Sequence, residues 1–146
     1  MINPQRLQGL TPDEFERLCL AGLNNKYGAG KRPFRRRGEL THPDQGVDIE
    51  GETRVGWTGG QCKTGPVTPD VVKEALKAIA GYREKLVRFL ILSAKSPTPS
   101  ALDTFKKLKS TVTTALGPVP DVFMWGPEEL FAEFGAEFLT FADQLG

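Results

Sequence analysis

The run from Asp44 to Lys63 constrains this chain more than any other stretch. Val47 to Glu50 alternates apolar and acidic side chains as a half-buried strand does, and Gly60-Gln61-Cys62-Lys63 pairs readily beside it after a glycine-rich turn. Two antiparallel strands are therefore expected at the centre of the fold. Because strand side chains alternate faces, Gln61 and Lys63 share one side and Cys62 points to the other. One side thus gathers an amide oxygen and an ammonium, and Asp48 on the neighbouring strand adds a carboxylate.

That trio suits a hard divalent cation. Mg2+ prefers oxygen, keeps several waters and usually takes one or two protein carboxylates together with substrate phosphates. Asp48 would anchor the ion, Gln61 would offer its side-chain oxygen, and the backbone carbonyl of Cys62 would be a further ligand. Lys63 would hold or deprotonate an attacking water and offset charge on a phosphate. For each of these residues taken singly, a solvated strand-edge position is the competing reading.

Upstream, Thr11-Pro12-Asp13-Glu14 opens a helix with a capping box and a proline at the first helical position. Phe15, Leu18, Cys19, Leu20 and Leu23 form its apolar face. At about 100° per residue, Glu16 projects roughly 60° from the centre of that face, on its shoulder. A carboxylate there needs a partner, and either a metal or a local arginine would serve.

Asp-x-Gly-Val-Asp at Asp44 to Asp48, followed by Gln-x-Lys at Gln61 to Lys63, resembles the Mrr-type branch of the PD-(D/E)XK restriction-endonuclease superfamily. In that branch Gln commonly replaces Glu, and a Phe-Glu pair on the first helix, here Phe15-Glu16, adds an acid to the site. The resemblance spans most of the chain. It implies an α/β fold with a restriction-endonuclease-like αβββαβ core, a mixed central sheet flanked by helices. It also implies a Mg2+-dependent DNA endonuclease of restriction or antiviral defence, with Mn2+ able to substitute. Asp48, Gln61, Lys63 and Glu16 would be catalytic; Asp48, Gln61, Cys62 and Glu16 would hold metal. Two other readings stay open: a Holliday-junction resolvase or repair nuclease of the same superfamily, and a non-catalytic nucleic-acid-binding or docking domain.

Charge distribution says more than charge total. Formal net charge is only +1, yet Lys31, Arg32, Arg35, Arg36 and Arg37 crowd just before the presumed metal strand. They would grip the phosphates of double-stranded DNA, or form a solvated charge run. Pro33 places this segment near a strand start or on a sheet edge. Glu128, Glu129, Glu133, Glu137 and Asp143 fall in a tail without Lys or Arg. His42 receives no role, although a general-base role stays open; Asp44 serves the site or only its turn, and Trp57 reads as packing before base stacking.

The remaining punctuation is regular. Asn24 to Gly30 reads as a loop, and Thr68-Pro69-Asp70 starts a second helix with Val72, Leu76 and Ile79 inward. Leu86 to Leu92 reads as an interior strand covered on both faces. A third helix is expected to bury Leu102, Phe105, Leu108, Val112 and Leu116 before Gly117-Pro118 stops it, with Lys106, Lys107 and Lys109 on its solvated side. Asp121 to Trp125 makes a last strand. A final helix carries Leu130, Phe134, Phe138 and Phe141 on one side.

With 146 residues, 39% hydrophobic and 25% charged, the chain fits one domain spanning residues 1–146, or the N-terminal module of a larger protein. Cys19 and Cys62 read as reduced core residues, and no Cys/His cluster suggests zinc. No membrane run or signal pattern is evident, so a cytoplasmic location is expected. Cutting both strands generally asks for two sites, so a homo-oligomer, a sensor or target-recognition domain, or a partner protein is expected as well.

Overall fold

A computed structural model of the protein describes residues 4–27, 32–36 and 46–135. After a 3-10 turn at Pro4–Gly9, helix α1 (Pro12–Tyr27) leads to strands β1 (Arg32–Arg36), β2 (Ile49–Thr53) and β3 (Gly56–Lys63). Then come helix α2 (Pro69–Ala78), strand β4 (Leu86–Ser93) and helix α3 (Pro99–Leu108). A small hairpin of β5 (Thr113–Thr114) and β6 (Gly117–Pro118) precedes β7 (Asp121–Trp125) and helix α4 (Pro127–Phe134). The main sheet runs β1-β2-β3-β4-β7. Its first two pairings are antiparallel and its last two parallel, so the fold is α/β with a mixed sheet.

Local chemistry accounts for the helix starts. Thr11 Oγ1 accepts the Glu14 N–H at 3.1 Å while Glu14 Oε1 accepts the Thr11 N–H at 2.9 Å, the reciprocal bonds of a capping box. Thr68 and Thr98 cap α2 and α3 through their hydroxyls, each ahead of a proline. Substituting such a cap with alanine typically costs about 1 kcal/mol.

Alternation along β4 divides the core. Leu90 and Leu92 face α1 and α4 with Phe15, Leu18, Ile49 and Phe131. Phe89 and Ile91 face the α2 and α3 side with Val72, Ile79 and Val122. The expected doubly covered strand is therefore the interior of the sheet, each buried aliphatic side chain contributing about 1.5–3 kcal/mol.

Three expectations need correction. Asn24, Lys26 and Tyr27 continue α1 instead of forming a loop. Tertiary contacts outweigh the weak helix propensity of Asn here: the Asn24 amide donates to Phe34 O at 3.1 Å and accepts the Phe34 N–H at 2.6 Å. Tyr27 also packs on Phe34, and Lys26 Nζ lies 2.7 Å from Glu133 Oε2.

The third helix ends at Leu108, and Val112 to Leu116 is not helical. The β-branched run Thr111 to Thr114 prefers extended backbone, and Thr113-Thr114 pairs with Gly117-Pro118. Leu102 and Leu116 are exposed instead of inward. Lys106, Lys107 and Lys109 are solvated as expected.

Gly59-Gly60 lies within β3, and the turn is Arg54-Val55, where Thr53 Oγ1 accepts the Val55 N–H and donates to Gly56 O. Added Cβ atoms at these two glycines would stand 3.1 Å from Val47 and Ile49 side-chain carbons respectively, so the missing side chains make room for β2 and its approach. Phe138, Phe141, Glu137 and Asp143 lie outside the described residues. Among the described residues no helix is long and apolar enough to cross a membrane.

Candidate active site

Strands β2 and β3 separate at one end of the sheet. Asp48 makes the last backbone link, its N–H donating to Gly60 O at 2.9 Å, while β3 runs on beside β4 through Gln61, Cys62 and Lys63. A notch opens where β2 has turned away. The Asp48 carboxylate occupies it, Oδ2 accepting the Cys62 N–H at 2.9 Å. Since a strand residue's carbonyl projects to the same side as its N–H, the Cys62 carbonyl faces this notch as well.

Gln61 points to the α2 side. Its Nε2 donates to Gly46 O at 2.8 Å, which fixes the amide, and its buried Oε1 has no hydrogen-bond partner among the described residues. Gly46 supplies that carbonyl from a left-handed conformation, φ +80°, with an added Cβ only 2.6 Å from the Ala78 Cβ. Only glycine meets both demands. Lys63 is half-buried, its carbonyl accepts the Ala94 N–H at 2.9 Å, and its ammonium makes no ion pair among the described residues.

Cys62 turns its thiol to the α1 side. A hydrogen bond with the Cys19 thiol is the largest effect holding Cys62 well above the ordinary thiol range, followed by burial. Negative charge from Asp48 and Glu16 adds to the rise. Two conclusions follow. The thiol stays neutral, so Cys62 has only its carbonyl to offer a cation. Carboxylates from the first helix and from the strand entrance both bear on one residue of β3.

Glu16 sits on the shoulder of α1, and its Oε1 is 3.0 Å from Arg36 Nε. Arg36 Nη2 also reaches Asp13, 2.7 Å from Oδ1 and 3.1 Å from the backbone oxygen. The arginine partner open to Glu16 from sequence is supplied by Arg36. Asp13 has no expected part in the site, and Arg36 is expected on phosphates, not on these two acids; the signal for their pairing is an acidic pair at Asp13 and Glu16, one turn apart, in a chain with a basic strand.

Among the other basic residues, Arg32 and Arg35 are exposed on edge strand β1. Arg32 lies over the Trp57 ring at 5.8 Å, and Trp57 Nε1 donates to Tyr82 Oη at 2.9 Å, so the indole is engaged in packing. Lys31, Arg37, His42 and Asp44 lie outside the described residues.

The donor set suits a hard ion better than a thiophilic one. Among the described residues no group of three or more His, Cys, Asp and Glu side chains is placed to hold a metal. Mg2+ does not require such a group, since it usually takes one or two carboxylates with waters; the Asp48 carboxylate and the Cys62 carbonyl share the notch, while Gln61 lies on the α2 side and Glu16 on α1 is paired with Arg36. The unpartnered Gln61 Oε1 is the observation that bears on fit, because a buried oxygen lacking a donor loses about 1–3 kcal/mol that a cation or water would restore. Comparison of the chain with protein-family models, curated proteins and solved structures gives no match.

Proposed function

We propose that the chain is a Mg2+-dependent DNA endonuclease that hydrolyses phosphodiester bonds. The reading rests chiefly on one arrangement: the Asp48 carboxylate closes on the Cys62 N–H at 2.9 Å where β2 leaves β3, with Gln61 and Lys63 on either side of Cys62 along the strand. The order α1-β1-β2-β3-α2-β4 supports a restriction-endonuclease-like αβββαβ core, and the Asp, Gln-x-Lys and helix-acid motifs support the Mrr-type branch. Restriction or antiviral defence in the cytoplasm is the setting this implies.

Asp48, Glu16, the Gln61 amide oxygen and the Cys62 carbonyl would hold Mg2+, with Mn2+ accepting the same oxygen donors. The ion, when bound, supplies a Lewis acid for the scissile phosphate and acidifies water. Lys63 offsets charge on the phosphate and orients the water. Arg32 and Arg35 on the sheet edge position a double-stranded backbone without reading its bases. Breaking both strands asks for two such sites, from a second copy or a partner.

Plasmid incubated with and without Mg2+ tests this directly. Nicked or linear product is expected only with metal, and neither Asp48→Ala nor Lys63→Ala should make it while both remain folded. Undiminished Mg2+-dependent cleavage by both variants would overturn the assignment. A four-way junction cut in preference to linear duplex would favour the resolvase reading. The Glu16–Arg36 pair favours a second reading, a domain that binds DNA without cutting it; that reading expects salt-sensitive binding and no metal-dependent product.

A further inference from the structure

We propose that a cleft between α2 and the end of α3 docks an acidic peptide segment of a partner protein, anchored by one large apolar side chain. The cleft holds about 200 Å3. Lys73, Leu76, Lys77 and Ala80 form one wall, a stripe at i, i+3, i+4 and i+7 that keeps to one face along α2 and into the 3-10 turn at Ile79–Gly81. The facing wall exists because α3 stops at Leu108 and the chain turns through Lys109–Thr111, which sets Val112 beside Leu108 in the lining. Leu76 and Val112 are buried and Leu108 is half-buried, so the floor is apolar.

The rim carries one sign of charge. Lys73 and Lys77 are exposed one helical turn apart, and neither makes an ion pair among the described residues. Among the described residues no carboxylate lines the cleft; Glu74 lies between the two lysines in sequence but on another face of α2. Ammoniums beside an apolar hollow complement carboxylates that flank a hydrophobic anchor. Size selects the anchor. About 150 Å3 accepts a benzene ring, whereas cofactor-sized and drug-sized ligands need roughly 300–1,000 Å3. A phenylalanine or leucine side chain therefore fits, and a cofactor does not.

Nucleic acid fits this cleft less well. No aromatic ring lines it for a base to stack on, and Thr111 and Thr113 are its uncharged polar side chains, with Thr111 Oγ1 already donating to Leu108 O at 2.7 Å. Position also separates the cleft from the candidate site. Because α2 runs back from the end of β3 to the start of β4, its last turn lies at the end of the sheet opposite Asp48 and Lys63. A docked partner would leave the notch open, and the inference does not depend on what the notch does.

The test is fluorescence anisotropy of a fluorescein-labelled peptide, Asp-Glu-Glu-Phe-Glu-Glu-Asp, titrated with the full chain. It should bind saturably, and serine in place of its phenylalanine should weaken binding at least about 10-fold, the effect of losing one buried apolar side chain. Lys73→Glu combined with Lys77→Glu should weaken it at least about 5-fold by setting two anions against the peptide. Lys106→Glu combined with Lys107→Glu, an equal charge change on the solvated side of α3, should alter it less than about 2-fold at physiological salt. Ala80→Leu, which fills the cleft at constant charge, should weaken the phenylalanine peptide and spare the serine one; if it loosens the fold, the exposed lysine pair and the serine peptide still decide. No saturable binding, equal affinity for both peptides, or an equal loss in the Lys106 and Lys107 variant would overturn the docking site. A thymidine oligonucleotide that binds more tightly than the peptide, and loses that binding when Lys73 and Lys77 are reversed, would overturn it in favour of a nucleic-acid site.

Discussion

The Asp48 carboxylate accepts the Cys62 backbone N–H at 2.9 Å, so the residue proposed to anchor a cation also closes the end of the β2 and β3 ladder. Its structural and chemical duties are separable. Asp48→Asn keeps a side-chain oxygen for the Cys62 N–H and removes the charge. Asp48→Ala leaves that N–H without its partner and should cost about 1–3 kcal/mol. Thermal unfolding should therefore distinguish the two variants, whereas Mn2+ titration should show both without tight binding.

Gly22 on α1 faces the Phe134 ring of α4, and an added Cβ would stand 2.2 Å from a ring carbon. Alanine ordinarily favours a helix over glycine by about 1 kcal/mol. Here the overlap should win. Gly22→Ala is expected to destabilise by about 1–3 kcal/mol, as overpacked cores do. Adding Phe134→Leu should recover part of that loss, and a double-mutant cycle in urea would measure the coupling.

Much of this architecture was readable from local signals, because those signals are settled within a few residues. Thr11 and Glu14 meet across three positions, and the β4 run needs only burial on both faces. The Asn24–Tyr27 turn and the end of α3 were not readable. One depends on Phe34 arriving from β1, the other on Thr113-Thr114 finding Gly117-Pro118. At the site, the order Glu16, Asp48, Gln61, Lys63 could be read along the chain. That an arginine could serve Glu16 was readable too; that it is Arg36 was not, since this requires an edge strand to lie beside the first turns of α1.

Alkaline pH should destabilise the fold through Cys62. Its thiol is raised first by the Cys19 hydrogen bond and then by burial, so the folded protein holds this proton after the unfolded chain begins to lose its own near pH 8.5. The contribution is full below that pH and falls as pH rises toward the folded value, with a limiting slope of about 1.4 kcal/mol per pH unit. Cys62→Ala should have a shallower alkaline limb, whatever its stability at neutral pH. Tyr27, raised by burial against opposing Arg88 and Lys26, should leave a residual limb at still higher pH. Unfolding midpoints in denaturant at half-unit pH steps would check both.

Thr58 is fully buried on β3, and its Oγ1 has no hydrogen-bond partner among the described residues. Valine has nearly the same shape without the desolvated hydroxyl. Thr58→Val should accordingly raise stability by about 1 kcal/mol. A loss of similar size would mean that the hydroxyl is satisfied, with a buried water reaching the equally unpartnered Arg88 Nη1 as the nearest explanation.

Gln61→Glu should pull stability and metal affinity in opposite directions. The amide Nε2 now donates to Gly46 O at 2.8 Å, and a carboxylate would set an anionic oxygen against that carbonyl. Loss of the bond should cost the metal-free protein about 1–3 kcal/mol. The same change adds a negative charge to the proposed ligand set, which should tighten Mn2+ and make binding less dependent on bound phosphate. Calorimetric titration would read the affinity, and the metal-induced rise in unfolding temperature should be larger in Gln61→Glu than in the parent. A variant that is less stable yet binds Mn2+ no more tightly would remove Gln61 from the ligands and leave it as the clasp on Gly46 alone.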